Sequence, residues 1–163
     1  MTEQRAVSRK ASPRLTIRRA AEADLPRIVE LLSQLALGDE RDSPTEPLPE
    51  SYGAALHEIE ADTRQQLLVV EARGRVVATG VLGIIPNLSY RGRPWAFAEG
   101  LVVDPSQRRK GYGEALMRYA IEEARRAGCY KVSLTSNKRR SEAHLFYQKL
   151  GFAASHEGFR LLL

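Results

Sequence analysis

The 163-residue chain is poor in several features, and each shortage excludes a class of protein. It has one cysteine, Cys129, so a disulfide within the chain is excluded and a cytoplasmic protein is favoured. No apolar run reaches the ~20 residues that a membrane helix needs. Three histidines and one cysteine show no zinc-ligand spacing, so we expect no metal. Residues 1–14 lack the apolar core of a secretory signal and are interpreted as a flexible tail before a single domain, residues 15–163.

The charge balance is basic, with 25 Lys and Arg against 20 Asp and Glu and a net charge of +5. Such a surplus suits either nucleic acid or a polyanionic cofactor. The sequence contains no basic helix interleaved with aromatic residues and no RNA-binding signature, so we expect no nucleic-acid partner.

The stretch from Ala98 to Gly128 combines a strand, a glycine-containing loop and a helix. Leu101, Val102 and Val103 form an apolar run typical of a buried strand, which Asp104-Pro105 is expected to end. Residues 108–113 follow as Arg-Arg-Lys-Gly-Tyr-Gly, three cations and two glycines. Apolar residues then recur at helical spacing: Leu116, Met117, Ala120, Ile121, Ala124 and Ala127. Free N–H groups at a helix N-terminus beside cations are typical of an anion site, such as one for a pyrophosphate. The alternative from the loop composition alone is a solvated basic loop before an ordinary helix.

Two common glycine loops do not fit this stretch. The Walker loop requires G-x-x-x-x-G-K-[ST], which is absent. The dinucleotide fingerprint requires glycine or alanine three residues after Gly113, where Leu116 stands.

Two motifs carry a resemblance to a known family. Residues 108–113 match R-x-x-G-x-G/A and resemble the acetyl-CoA loop of the GNAT family of N-acetyltransferases. Residues 143–152, A-H-L-F-Y-Q-K-L-G-F, are similar to the A-x-x-F-Y-x-x-x-G-F motif near the end of the same family. Their A-H-x-F-Y start resembles the branch that includes aminoalkylphosphonate N-acetyltransferases. With both motifs in the family's order, the likeness covers about Leu15 to Leu163.

The predicted elements form a mixed α/β fold in the family's order, β-α-α-β-β-β-α-β-α-β. Strands are expected at Leu15–Arg18, Gln66–Glu71, Val76–Ile85, Trp95–Val103, Lys131–Ser136 and Phe159–Leu163. Helices are expected from about Leu25 to Leu37, from Pro49 to Ala61, after Gly113 until Gly128, and from an N-cap at Ser141 to Gly151. Gly100 inside a strand predicts a β-bulge.

The resemblance implies acetyl-CoA as the acetyl donor and assigns residues to it. The N–H groups of residues 108–113 would hold its pyrophosphate, and the apolar strand would lie beside its pantetheine arm. Many relatives place a pantetheine-contacting asparagine seven residues before the motif tyrosine, where this chain has Arg140, so Asn137 would replace it. The implied binding residues are Leu101, Val102, Val103, Arg108, Arg109, Lys110, Gly111, Tyr112, Gly113, Glu114 and Asn137.

Acetyl transfer to an amine needs a neutral amine, a stabilised oxyanion and a protonated thiolate. Glu99, beside Gly100, matches the glutamate that many family members use as a base; the alternative is a strand-end carboxylate paired with an arginine. Tyr147 stands where the family places its acid; the alternative is packing beside Phe146. A backbone N–H of Val102 or its neighbour would meet the oxyanion.

The sequence therefore predicts an N-acetyltransferase that acts on the primary amine of a small molecule by direct transfer in a ternary complex. Cys129 is interpreted as an apolar filler, so no acyl-enzyme is needed. Aminoalkylphosphonates and amino sugars or aminoglycosides are acceptors suggested by analogy, and a protein or peptide amine is the alternative. A non-catalytic acyl-CoA-binding module is the competing class. The resemblance also raises a homodimer as an option.

Overall fold

The computed structural model describes residues 15–35 and 44–161. Its strands are β1 (Leu15–Arg19), β2 (Gln65–Ala72), β3 (Arg75–Ile85), β4 (Trp95–Val103) and β5 (Val132–Ser133). Its helices are α1 (Leu25–Ser33), α2 (Glu50–Ala61), the single turn α3 (Ser89–Gly92), α4 (Tyr112–Arg126) and α5 (Ser141–Lys149). Short 3₁₀ turns lie at Glu22–Asp24 and Pro105–Gln107. The mixed α/β fold predicted from the sequence is confirmed.

The strands form one sheet in chain order, and helices cover both of its faces. β1 to β4 pair antiparallel, and β4 pairs with β5 in parallel. Neighbouring residues of β2 point to opposite faces, so Leu68 packs with α4 while Val69 packs with α1 and α2. Burial on both faces explains why β2 and β3 read as continuous apolar runs.

A β-bulge interrupts the pairing of β3 with β4 at Gly100. Thr79 faces Val102 and Val81 faces Glu99, so two residues of β4 lie opposite the single Gly80. Gly100 has a φ of 63°, in the left-handed region that glycine adopts without strain. The predicted bulge is confirmed, and it bends β4 just before Leu101.

β4 and β5 pair only briefly and then separate. The parallel ladder joins Ala96 to Val132 and Phe97 to Ser133. β4 continues beside β3 as far as Val103, whereas the chain after Ser133 is no longer paired with it. The strands therefore open towards the C-terminal end of β4.

Several predicted boundaries differ from the structure. β5 covers two residues rather than Lys131–Ser136, because its only described strand partner diverges from it. Residues 159–161 form no strand: Phe159 and Leu161 alternate with a polar residue, but they are 94% and 83% exposed. The first helix was also predicted too long: it ends at Ser33 rather than near Leu37, because the Gln34 and Leu35 N–H groups bond three residues back in a closing turn. Leu162, Leu163 and the tail of residues 1–14 lie outside the described residues.

The N-cap of α5 was also predicted one residue too late. Arg140 occupies that position, and its carbonyl already accepts the His144 N–H at 3.1 Å. Ser141 is the first helical residue, and no side chain caps this helix end.

Candidate active site

An ion pair fixes the point where β4 passes into the glycine loop. Asp104, 8% exposed, accepts hydrogen bonds from the Ser106 N–H (2.8 Å) and hydroxyl (2.7 Å). Arg27 of α1 pairs with the same carboxylate and donates to the Val76 carbonyl at 3.1 Å. The Ser106 bonds, and then the Arg27 pair, hold the pKa of Asp104 below its usual range. The Ser106 bond follows a local turn pattern, whereas nothing in the sequence indicated Arg27.

The loop at residues 108–113 places three exposed cations beside a helix N-terminus. Gly111 caps α4 with a φ of 83°, and the first bond of the helix runs from the Ala115 N–H to the Gly111 carbonyl at 2.9 Å. The N–H groups of residues 112–114 therefore have no acceptor within the helix. Among the residues that the structure describes, no atom lies within 4 Å of a Cβ built on Gly111, so they leave this side of the loop open. N–H groups at a helix start beside exposed cations form an arrangement that can bind an anion.

The loop side chains have partners of their own. Arg108 donates to the Val103 carbonyl at 3.3 Å, and Lys110 donates to Gln107 at 2.9 Å. Arg109 lies 4.0 Å from Glu142 with both side chains at least 90% exposed, so solvent weakens that pair. Glu114 accepts from Arg118 at 2.8 Å. The Arg108 N–H already donates to the Pro105 carbonyl at 3.4 Å. The N–H groups that could bind a ligand are therefore those at the start of α4.

Gly113 serves packing rather than an unusual backbone angle. A Cβ at this position would lie 3.2 Å from Val103 Cγ2 and 3.7 Å from Phe146 Cζ. The start of α4, the end of β4 and the helix α5 therefore meet at this glycine. This contact places Phe146, and with it the adjacent Tyr147, at the open end of the β4–β5 pair.

Glu99 lies on the sheet side of the same opening. It directly precedes the bulge, pairs across the ladder with Val81, and is exposed. It also lines a small gap whose other walls are Leu68, Gly80, Val81, Ala98, Leu101, Leu116, Met117 and Ala120. The Glu99 side chain is therefore accessible to solvent at the bend of β4.

Tyr147 is half-buried among aromatic rings on α5. Its ring makes edge contacts with Phe146 (centroids 5.2 Å apart) and Phe152 (5.9 Å). Burial raises the pKa of the Tyr147 phenol above its usual value, and the positive charge of Arg140 acts in the opposite direction. The phenol is therefore protonated at neutral pH and can donate a proton.

Asn137, the predicted replacement for the family's asparagine, is used within its own turn. Its side-chain oxygen accepts the Arg139 N–H at 2.9 Å, and its carbonyl contacts His144 Nε2 at 3.0 Å. Arg140, at the family's asparagine position, donates to the Leu35 carbonyl at 2.7 Å. This contact spans 105 residues, and no local sequence signal could have indicated it.

Cys129 lies half-buried before β5, at the far end of β4 from the glycine loop. Burial raises the pKa of its thiol, which disfavours the reactive thiolate. Within residues 15–35 and 44–161, no group of acidic, histidine and cysteine side chains could hold a metal ion. In the same residues, no helix is long and apolar enough to cross a membrane.

Comparison with known proteins shows a likeness that covers most of the chain, well beyond the two motifs. The sequence profile of the acetyltransferase (GNAT) family matches residues 30–152. Glucosamine 6-phosphate N-acetyltransferase of Trypanosoma brucei brucei is 37% identical over 153 residues, which cover 90% of this chain and 95% of that protein. A crystal structure of a transcriptional regulator from Bacillus halodurans C-125 superposes with a TM-score of 0.88 at 37% identity, covering 92% of this chain and all of that one.

The likeness to the aminoalkylphosphonate branch is confined to one segment. Aminoalkylphosphonate N-acetyltransferase of Salmonella typhimurium is 42% identical, but over 59 residues that cover 36% of this chain and 38% of that protein. The broader match lies with the trypanosomal protein. The family profile over residues 30–152 and the long match to the trypanosomal protein show the family: the chain belongs to the acetyltransferase (GNAT) family and is an acetyl-CoA-dependent N-acetyltransferase.

Proposed function

We propose that this enzyme acetylates the primary amine of a small molecule, with a phosphorylated amino sugar as the first candidate, by direct transfer in a ternary complex. The opening between β4 and β5 supports this proposal, because Glu99 and the bulge belong to β4 beyond its pairing with β5, and Phe146, next to Tyr147, packs near the end of β4. The amino-sugar phosphate is chosen because the trypanosomal relative, named for glucosamine 6-phosphate, matches 90% of the chain. An aminoalkylphosphonate has support over 36% of it.

The donor would be held by the loop and by the strand before it. The N–H groups of Tyr112, Gly113 and Glu114, with the exposed cations of residues 108–110, would bind the pyrophosphate. Leu101 to Val103, past the bulge, would line the pantetheine arm. When bound, acetyl-CoA supplies the thioester from which the acetyl group leaves. Asn137 would contact the pantetheine through its side-chain NH₂ group or its backbone N–H, because its side-chain oxygen and its backbone carbonyl already bond within the turn.

Glu99 would accept a proton from the amine. An alkylammonium with a pKa of about 10 is almost wholly charged at neutral pH and cannot attack a carbonyl. The exposed Glu99 carboxylate, at the bend of β4, can receive the proton directly or through water.

The bulge would stabilise the oxyanion of the reaction, and Tyr147 would protonate the departing thiolate. A backbone N–H of Val102 or its neighbour, in the segment that the bulge bends, would donate a hydrogen bond to the acetyl oxygen as negative charge develops there. Tyr147 holds its phenolic proton at neutral pH and would give it to the departing thiolate. Cys129 takes no part.

The test is release of free thiol from acetyl-CoA by the purified protein across a panel of amines. The panel contains glucosamine 6-phosphate, glucosamine, 2-aminoethylphosphonate and a peptide with free N-terminal and lysine amines. We expect the highest kcat/KM with glucosamine 6-phosphate and a lower value with unphosphorylated glucosamine. Turnover of the peptide alone would support the protein acetyltransferase instead. Binding of acetyl-CoA without turnover of any amine would overturn the proposal in favour of a non-catalytic module.

The cytoplasmic location and the homodimer stay predictions. Light scattering of the purified protein measures its mass in solution, and fractionation of its native cells tests the location.

A further inference from the structure

The end of α1 lies directly over the bent part of β4. A Cβ built on Gly100 would meet Leu32 Cδ2 at 3.6 Å. Leu32 and Leu35 both pack against the buried cluster formed by α1, α2 and one face of the sheet. The Leu35 N–H closes the helix end by donating to the Leu32 carbonyl at 2.8 Å. The position of this helix end therefore sets how much room the bulge has above it.

Arg140 joins that helix end to α5. Its guanidinium donates to the Leu35 carbonyl at 2.7 Å, and this bond is partly shielded from solvent. Its backbone is fixed as well, because its N–H donates to the Asn137 carbonyl (2.9 Å) and its carbonyl receives the His144 N–H (3.1 Å). A cation at the C-terminal end of α1 also interacts favourably with the helix dipole.

The same residue is aligned with Tyr147. Seven residues make nearly two helical turns, so positions 140 and 147 fall on one side of α5. The charge of Arg140 acts on the Tyr147 phenol, against the effect of burial. One side chain thus bonds to the end of α1, which lies above the bulge, and acts electrostatically on the Tyr147 phenol.

We propose that Arg140 is a positioning residue, which fixes the end of α1 above the Gly100 bulge relative to the helix that carries Tyr147. This inference rests on the proposed function, because it assigns Arg140 to the acceptor side of that site. In many relatives the asparagine at this position contacts the pantetheine arm of acetyl-CoA. The described contact of the Arg140 guanidinium is instead to the protein backbone, at the Leu35 carbonyl.

Arg140→Met and Arg140→Lys test the assignment, with Lys138→Met as the control. Lys138 lies in the same turn, and its side chain is 87% exposed. With the best amine of the panel, Arg140→Met should lower kcat/KM about 10- to 100-fold, the range expected for a site displaced by about 1 Å. The loss should include a raised KM for the amine, with the Kd for acetyl-CoA little changed. Arg140→Lys should recover part of the loss, and Lys138→Met should match the wild type.

Three results would overturn the assignment of Arg140 as a positioning residue. A structural role alone would reduce the fraction of active enzyme and lower kcat with the amine KM unchanged, which would overturn the proposal. A large loss of acetyl-CoA affinity would overturn it too, because it would make Arg140 a donor-binding residue. Unchanged kcat/KM in Arg140→Met would do the same.

We call the hydrogen bond from Arg140 to the Leu35 carbonyl the tether. Amide hydrogen exchange tests it without any turnover. In Arg140→Met the Gln34 and Leu35 amides, which close the end of α1, should exchange faster, while those of α4 keep their protection. If the wild type acetylates no amine but this local change is seen, the proposed function fails and the tether stands. If exchange at the two amides is unchanged, the tether is wrong whatever the activity.

Discussion

The protonation state of one phenol determines how Tyr147 can take part in the reaction. Burial raises its pKa, and Arg140 opposes that shift without cancelling it. A group with a raised pKa stays protonated until the pH passes its unperturbed value of about 10. We therefore expect kcat to rise with pH as the amine loses its proton, and to show no fall caused by Tyr147 below pH ~10. A pH series at saturating substrates measures this, and a fall of kcat between pH 8 and 9 that Tyr147→Phe removes would contradict it.

Removing the phenolic hydroxyl should affect the chemical step. Tyr147→Phe keeps the ring contacts with Phe146 and Phe152 but cannot donate a proton. We expect kcat to fall about 100-fold or more, the typical contribution of a positioned acid, with the Kd for acetyl-CoA unchanged. Tyr119→Phe is the control, because Tyr119 packs against the core on α4. Equal kcat for Tyr147→Phe and wild type would reduce Tyr147 to packing.

Glu99 gives a separate measurement at the residue scale. Glu99→Gln keeps the shape of an exposed side chain and removes its basic site. We expect kcat to fall about 100-fold near neutral pH and the loss to shrink at high pH, where more of the amine is already neutral. A loss that is the same at every pH would argue against a base.

Gly111 and Gly74 form a matched pair for testing the cofactor loop. Both have a positive φ (83° and 74°), and at both an added Cβ would meet nothing within 4 Å. Alanine at either position should destabilise the protein by about 1 kcal/mol through backbone strain. Only Gly111→Ala should also weaken acetyl-CoA binding, because Gly74 lies in the β2–β3 turn. Thermal denaturation and calorimetric titration separate the two effects, and equal affinities in both variants would contradict the assigned loop.

At the scale of elements, the pairing of β3 with β4 depends on a glycine covered by an aromatic ring. Gly83 and Phe97 are cross-strand partners, and a Cβ on Gly83 would overlap the Phe97 ring. Gly83→Ala must displace that ring, so we expect a loss of about 1–3 kcal/mol in the free energy of unfolding. Adding Phe97→Ala removes the clash, so the double variant should lose less than the sum of the two single changes. Urea denaturation of all four proteins measures the coupling, and strict additivity would show that the ring does not hinder residue 83.

The elements also show what the sequence could reveal and what it could not. The Gly100 bulge, the buried face of α4 and the left-handed stop at Gly128 follow from short-range rules, and the structure contains each of them. β5 was predicted too long because alternation of apolar residues does not show whether a strand has neighbours. Phe159 to Leu161 fail as a strand for the same reason, since no described strand pairs with them.

The candidate site also combines residues that the sequence could identify with contacts that it could not. Glu99, Tyr147 and the loop could be named from motifs, because a motif records residues that are close in the chain. The contact of Arg140 with Leu35 and the pair of Arg27 with Asp104 join residues 105 and 77 positions apart, so only the folded chain brings them together. These long-range contacts determine where the motif residues lie relative to one another.

At the scale of the whole molecule, two ion-paired carboxylates attach the first helix to the sheet. Arg18 on β1 holds Asp24 before α1 with bonds of 2.6 and 3.0 Å, and Arg27 of α1 pairs with Asp104 at the end of β4. The Arg18 bonds lower the pKa of Asp24, and the Ser106 bonds with the Arg27 pair lower that of Asp104. In the unfolded chain these carboxylates have the ordinary aspartate pKa of 3.8, so their stabilisation is complete above that pH and is lost as the pH falls through the lowered pKa values of the folded state.

Asp104→Asn should therefore be less stable than the wild type at pH 7, by about 2 kcal/mol, since Arg27 loses a charged partner in a partly buried place. Its stability should also change less between pH 7 and pH 3, because one of the carboxylates that gains a proton there is gone. Urea denaturation at both pH values measures both effects. Glu122→Gln, which breaks an exposed pair with Arg125 on α4, should change stability by less than about 0.5 kcal/mol. If Asp104→Asn loses as much stability as the wild type on going to pH 3, Asp104 is not one of the groups that make folding depend on acid, and its charge does not stabilise the attachment of α1 to β4.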